Sequence, residues 1–80
     1  MVTSAQIRAA RGLLNWTVRD LAERSGAHRN TITRIETDAT GPGYSIDAIQ
    51  RALEAAGVIF IEGDGEGPGV RLRNTPQAAE

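Results

Sequence analysis

Gly26 lies between two short amphipathic segments and constrains the fold of this chain more than any other residue. Apolar residues recur at the i, i+3, i+4 spacing of a helix on both sides of it, with Val18, Leu21 and Ala22 before the glycine and Ile32 and Ile35 after it. Thr17 is a good N-cap for the first segment, and Gly26 supplies the left-handed conformation that ends it. Two short helices joined by a tight glycine turn, here within residues 17–36, form a helix-turn-helix motif.

Two further helices are predicted around this motif. Thr3 and Gln6 have the spacing of a capping box, so a first helix is expected over residues 4–14. Ser45 follows a glycine- and proline-containing loop and is the expected N-cap of a fourth helix, over about residues 46–56. The sequence therefore predicts four helices in its first 57 residues.

The spacing of apolar residues along the sequence changes after Gly57. Residues 58–62 are β-branched and aromatic, residues 70–73 alternate apolar and basic, and a glycine-rich acidic loop separates them. This pattern predicts a β-hairpin, so the fold class is mainly α with a C-terminal hairpin. The expected organisation is a helix-turn-helix domain over 1–57, a hairpin over 58–73 and a flexible tail over 74–80.

Charge is distributed unevenly along the 80 residues, whose formal net charge is −1. Residues 1–36 carry six arginines against three acids, whereas residues 37–80 carry three arginines against seven acids. The basic excess therefore lies with the helix-turn-helix motif, as expected for a nucleic-acid partner.

The chain has no cysteine and one histidine, so we expect no disulfide, no metal site, no cofactor and no enzymatic activity. It has no apolar run near the ~20 residues of a membrane helix, and a cytoplasmic protein is expected.

The face of the third helix opposite Ile32 and Ile35 is rich in groups that bind DNA. At about 100° per residue, that face holds Asn30, Thr33, Arg34 and Thr37, with Arg29 on its flank near the N-terminal end. Arginine binds guanine and asparagine binds adenine through paired hydrogen bonds in the major groove. We therefore expect this face to bind double-stranded DNA.

The stretch IRAARGLLNWTVRDLAERSG followed by NTITRIE resembles the lambda-type phage repressor and Cro group, also called the XRE family of bacterial transcription regulators. The resemblance covers about residues 4–57 and implies a lambda-repressor-like four-helix domain. It places His28, Arg29, Asn30 and Arg34 at base-contacting positions, and the amide end at Thr17 and Thr37 with its following loop beside the phosphate backbone. It also implies an ion pair between Arg11 and Glu36.

Two features of the sequence depart from that family. Val18 stands where relatives often have a glutamine that helps to hold phosphate, and the segment 37–44 contains Asp38 but no basic residue. Both departures predict weak phosphate binding by a single copy of the chain.

The hairpin offers two ways to cover its apolar residues, since two strands alone are marginal in water. It can fold back onto the helices, or two hairpins from two chains can pair edge to edge in a four-stranded sheet. The second arrangement is our hypothesis, because it enlarges a small core and creates a twofold dimer. The residues expected at that dimer contact are Val58, Ile59, Phe60, Ile61, Val70 and Leu72.

The function expected from these features is that of a sequence-specific transcription regulator, a repressor or autoregulator that binds a palindromic operator as a homodimer. The alternative is an antitoxin-like module that neutralises a partner protein and binds DNA secondarily. An adaptor that binds protein or RNA through the same helices is a third interpretation.

Overall fold

The computed structural model describes residues 2–38, 43–63 and 65–73. Within these residues, four helices are followed by an antiparallel hairpin. The elements are α1 (Ser4–Leu14), α2 (Val18–Ser25), α3 (Arg29–Asp38), α4 (Gly43–Ala55), β1 (Val58–Ile61) and β2 (Gly69–Leu72). This architecture confirms the predicted fold class. The predicted tail from Asn74 and most of the predicted loop at 40–43 lie outside the described residues.

Hydrogen bonds between neighbouring residues define the ends of the first two helices. At the start of α1, Thr3 Oγ1 accepts from Gln6 N–H and Gln6 Oε1 accepts from Thr3 N–H, at 3.1 and 2.8 Å. Asn15 adopts a left-handed conformation (φ 58°) after α1, and Gly26 does the same (φ 82°) after α2. The capping box and both helix ends predicted from the sequence are confirmed.

The start of α4 differs from the prediction. The helix begins at Gly43, so Ser45 is its third residue and not its N-cap. Ser45 is also buried, with 9 % of its surface exposed. The expectation of a serine cap was wrong because Tyr44, which carries no helix-breaking signal, continues the helix toward Gly43.

The core lies where the four helices and the hairpin meet. Its buried members come from every helix and from β1, and they are Ile7, Ala10, Leu21, Ile32, Ile35, Ile46, Ile49, Leu53 and Val58. The stripes that the sequence predicts for α1 to α4 supply eight of these nine residues. The helix-turn-helix pair is thus fixed from below by the apolar side chains of α3 and supported by α1 and α4.

The hairpin packs against the helices. Val58 pairs with Leu72 and Phe60 with Val70 across the two strands, and these four side chains are buried in the core or packed against it. Gln6 Nε2 on α1 donates to the main-chain oxygens of Ile61 and Gly69, at 3.1 and 3.0 Å. The first of the two arrangements predicted for the hairpin, folding back onto the helices, is therefore present in a single chain.

Candidate nucleic-acid interface

Helix α3 presents a polar face to solvent because its isoleucine side chains are buried in the core. Ile32 and Ile35 have 0 % and 1 % of their surface exposed. The side chains predicted to contact DNA are all exposed, and on α3 they are Arg29, Asn30, Thr33, Arg34 and Thr37. The structure thus brings the predicted group together on one helix. This outer face of α3, meaning these five residues, combines guanidinium, amide and hydroxyl groups that suit base edges and phosphates.

His28 caps the N-terminal end of α3. Its Nδ1 accepts a hydrogen bond of 3.0 Å from Asn30 N–H, and its main-chain oxygen accepts from Ile32 N–H. An accepting Nδ1 places the ring proton on Nε2. His28 therefore has a structural role, and its exposed Nε2–H is the group that remains for DNA.

Glu36 and Arg11 connect the C-terminal end of α3 to α1. Arg11 Nε and Nη2 donate to the two carboxylate oxygens of Glu36, at 2.8 and 3.0 Å. Glu36 is buried, and its hydrogen bonds raise the pKa of Arg11 above its ordinary value. Arg11 Nη1 also donates to the main-chain oxygen of Trp16. The ion pair implied by the family resemblance is present, and its arginine also holds the turn before α2.

Arg8 makes a second contact with the same end of α3. Its Nη1 donates to the main-chain oxygen of Glu36, one of the last carbonyls of the helix. A cation is favourable there because the C-terminal end of a helix carries partial negative charge. Sequence reasoning missed this residue, although Arg8 and Arg11 are three positions apart and so share a face of α1.

Thr17 is the N-cap of α2, and its polar groups already have partners. Thr17 Oγ1 accepts from Asp20 N–H at 3.0 Å, and Thr17 N–H donates to Asp20 Oδ2 at 2.9 Å. Hydrogen bonds from the Thr17 backbone and side chain lower the pKa of Asp20. A phosphate at this end of α2 would meet the Asp20 carboxylate, so the Thr17 hydroxyl proton is the donor of this residue that the cap leaves available.

Thr37 is exposed but is also engaged within its own helix. Its Oγ1 donates to the main-chain oxygen of Thr33 at 2.7 Å. Contact between the Thr37 hydroxyl proton and a phosphate would require this bond to break.

The six hairpin residues predicted at a dimer contact divide into two groups. Val58 has no exposed surface, and Phe60, Val70 and Leu72 pack against the core. Because Val58 is a core residue, its side chain is unavailable to a second chain. Ile59 and Ile61 alternate with these residues and lie on the outer side of the sheet, where Ile61 is 39 % exposed.

Comparison with protein families identifies the class of this fold and site. Residues 4–58 match a family model described as a helix-turn-helix domain. The chain belongs to this family, the XRE and Cro type of DNA-binding domain. The match covers α1 to α4 and the first residue of β1, so it includes the whole outer face of α3. Comparison with curated protein sequences finds no match.

Across residues 2–38, 43–63 and 65–73, none of the helices has the length and apolar character that a membrane crossing requires. Within the same residues, no three histidine or acidic side chains lie together in a way that could bind a metal ion.

Proposed function

We propose that the protein is a sequence-specific regulator of transcription, a repressor or autoregulator, that acts in the cytoplasm and binds a palindromic operator as a homodimer. The observation that carries the proposal is the outer face of α3. Five polar side chains project from a helix whose apolar residues are buried and whose C-terminal end is fixed to α1 by the Arg11–Glu36 pair.

The proposed contacts divide by chemistry. Asn30 and Arg34 bind base edges through paired hydrogen bonds, each contributing about 1–3 kcal/mol of discrimination between bases. Arg29 contacts the groove from the N-terminal end of α3, where base contacts concentrate in this motif. His28 Nε2, Thr33 and the ends at Thr17 and Thr37 add contacts to bases or phosphates.

Selection of binding sites from random duplex DNA tests the proposal. Enrichment of a palindrome with half-sites about one helical turn apart, ~34 Å, is expected for a dimer that places two α3 helices in successive major grooves. Failure to enrich any sequence, under conditions in which the chain is folded, would refute sequence-specific binding.

The residues assigned to the outer face can be separated from other surface arginines. Arg34→Ala is expected to relax preference at one base position and Arg29→Ala at another, whereas Arg51→Ala, at an exposed position on α4, serves as the control. Unchanged preference at every position in both α3 variants would show that the bases are contacted by another surface.

The homodimer is proposed to form through the free edge of β1. Arg73 N–H donates to the main-chain oxygen of Gly57 across the hairpin, so these two residues form a hydrogen-bonded pair. Along an antiparallel ladder, hydrogen-bonded pairs alternate with pairs that are not hydrogen-bonded. Ile59 and Arg71 are then a hydrogen-bonded pair, whereas the main-chain groups of Phe60 point away from β2. Phe60 can therefore pair with Phe60 of a second chain about a twofold axis.

Side chains favour β1 over β2 as the dimer edge. With the twofold axis at Phe60, Ile59 faces Ile61 of the second chain on the outer side of the sheet, and two apolar pairs form. If two β2 strands pair instead, with Val70 of one chain facing Leu72 of the other, Arg71 lies directly opposite Arg71 of the second chain. Like charges in directly opposite positions are unfavourable.

Sedimentation of wild type and an Ile61→Lys variant tests the dimer. A lysine at an edge strand opposes pairing with another edge, and position 61 is partly exposed, so the variant is expected to fold and to sediment as a monomer. Arg71→Lys, which keeps the charge on β2, is the matched control. A monomeric wild type at micromolar concentration that still binds DNA tightly would refute the dimer.

A further inference from the structure

Among the side chains that the structure describes, two arginines and one acid meet at the junction of α1 with the end of α3. Glu36 is paired through both carboxylate oxygens with Arg11, whose side chain is 24 % exposed. Arg8 binds the same residue through a main-chain oxygen, which has no formal charge. Of these three side chains, the guanidinium of Arg8 is the charged group that is not paired with a carboxylate.

Arg8 retains donors that this contact does not use. An arginine has five N–H groups arranged in a planar fork, and the bond to the Glu36 oxygen uses one of them. Arg8 is exposed, unlike Arg11. Its guanidinium is thus held at a defined place by a residue that is itself exposed.

Arg8 is held at the C-terminal end of α3, the helix that bears the outer face. Glu36 precedes Thr37, which lies on that face, and α3 ends one residue later at Asp38. The segment 37–44 contains no lysine or arginine, so the chain that follows α3 supplies no cation for a backbone phosphate. Arg8 brings one to that end of α3 from a different helix.

We propose that Arg8 contacts a phosphodiester group of the DNA backbone at the C-terminal end of α3, an inference that rests on the proposed DNA-binding function. The hydrogen bond to the Glu36 oxygen orients the guanidinium, and its remaining N–H groups bind the phosphate oxygens. Fork-shaped recognition of this kind is what distinguishes arginine from lysine at phosphates.

The salt dependence of binding tests the proposal. The measurement compares wild type and Arg8→Gln on the duplex enriched by selection and on a scrambled duplex of equal length. Each lost phosphate contact lowers the slope of log affinity against log salt by about 0.9, so the ratio of wild-type to variant affinity should fall ~3.5-fold per bound chain between roughly 50 and 200 mM salt. The loss should be equal on both duplexes, because a phosphate contact carries no sequence information.

Two comparisons separate this contact from general effects of charge and from helix positioning. Arg51→Gln removes the same charge from an exposed position on α4 and is expected to leave the slope unchanged. An unchanged slope for Arg8→Gln would overturn the proposal. If that variant instead loses its preference for the enriched duplex, Arg8 positions α3 and does not bind phosphate.

A second measurement on the DNA does not depend on Arg8→Gln being folded. Single phosphates are replaced by neutral methylphosphonates, and binding by wild type is compared with Arg8→Lys, which keeps the cation but lacks the planar fork. At one backbone position, the same in each half-site, the methylphosphonate is expected to weaken DNA binding by wild type and by Arg8→Lys to different extents. The absence of any such position would overturn the proposal. If wild type binds neither duplex, the proposed function itself has failed.

Discussion

The helix ends of the helix-turn-helix pair and the attachment of the C-terminal hairpin depend on contacts of very different range. The caps of α2 and α3 join residues two or three positions apart, as in Thr17 with Asp20 and His28 with Asn30. The hairpin is held by Gln6, which lies 55 and 63 positions from the two oxygens that it binds. The helix ends of the first region are therefore specified by neighbouring residues, whereas the position of the hairpin depends on α1.

The two regions also differ in what they leave exposed. Helix α3 buries its isoleucines and exposes polar groups, whereas the hairpin leaves Ile61 39 % exposed on its outer side. The polar surface suits a charged and hydrated ligand, and the apolar one suits a second protein surface.

Loss of an isoleucine should affect the two regions most unequally. Ile35→Ala in α3 removes a side chain with 1 % exposure and should lower the free energy of unfolding by about 2–5 kcal/mol. Ile61→Ala in β1 should lower it by less than about 1 kcal/mol in the monomer. Urea unfolding at low protein concentration measures both, and equal losses would contradict the division between core and outer side.

Removal of the Arg11 guanidinium should have the next largest effect. Arg11→Met leaves the Glu36 carboxylate buried without its partner, and the expected loss is about 2–3 kcal/mol, below the 3–5 of a fully buried pair because Arg11 keeps some exposure. The control is Arg19→Met, whose pair with Glu23 is 3.8 Å long and exposed, and its expected loss is ~0–1 kcal/mol. A similar loss in both variants would mean that the Arg11 pair contributes no more than a surface one.

Gln6→Ala should loosen the hairpin selectively. It removes two donors to the hairpin and one acceptor in the α1 cap, and a loss of about 1–3 kcal/mol is expected. Hydrogen exchange should accelerate at the amides of β1 and β2 more than at those of α3. Gln50→Ala, which removes a bond to Glu54 within α4, is the control. Equal acceleration in hairpin and α3 would show that the two regions open together.

The smallest expected effect is on the acid stability of the α2 cap. The folded pKa of Asp20 is lowered by its bonds to Thr17, so its contribution to stability is present at neutral pH. That contribution is lost as the pH falls below about 4 and through the folded pKa. Asp20→Asn should therefore flatten the fall of the melting temperature in acid, and Asp47→Asn on α4 should not. An unaltered acid profile in Asp20→Asn would contradict this role for the cap.

The sequence predicts the helical domain well because its signals are local. The bounds of α1, both left-handed helix ends and the buried stripe of α3 follow from capping residues and from the 3.6-residue period. The exposed group of Arg29, Asn30 and Arg34 follows from the same period. The cap at Ser45 was wrong because a serine two residues inside a helix gives the same local signal as a serine at its start.

The remaining features depend on contacts that no period reveals. Gln6 was recognised as a capping residue, but its second role requires the main chain of β1 and β2 to lie above α1. Arg8 binds a main-chain oxygen, and any residue provides such an oxygen, so no complementary charge in the sequence indicates the contact. The position of the hairpin over α1 and α4 follows only from packing.

The double role of Gln6 has a consequence for how the molecule opens. The same side chain closes the first turn of α1 and anchors the hairpin, so fraying of residues 3–6 also removes both hydrogen bonds that hold β1 and β2. The first turn of α1 and the hairpin are therefore expected to loosen together. Protease sensitivity at the hairpin then reports on the N-terminal turn.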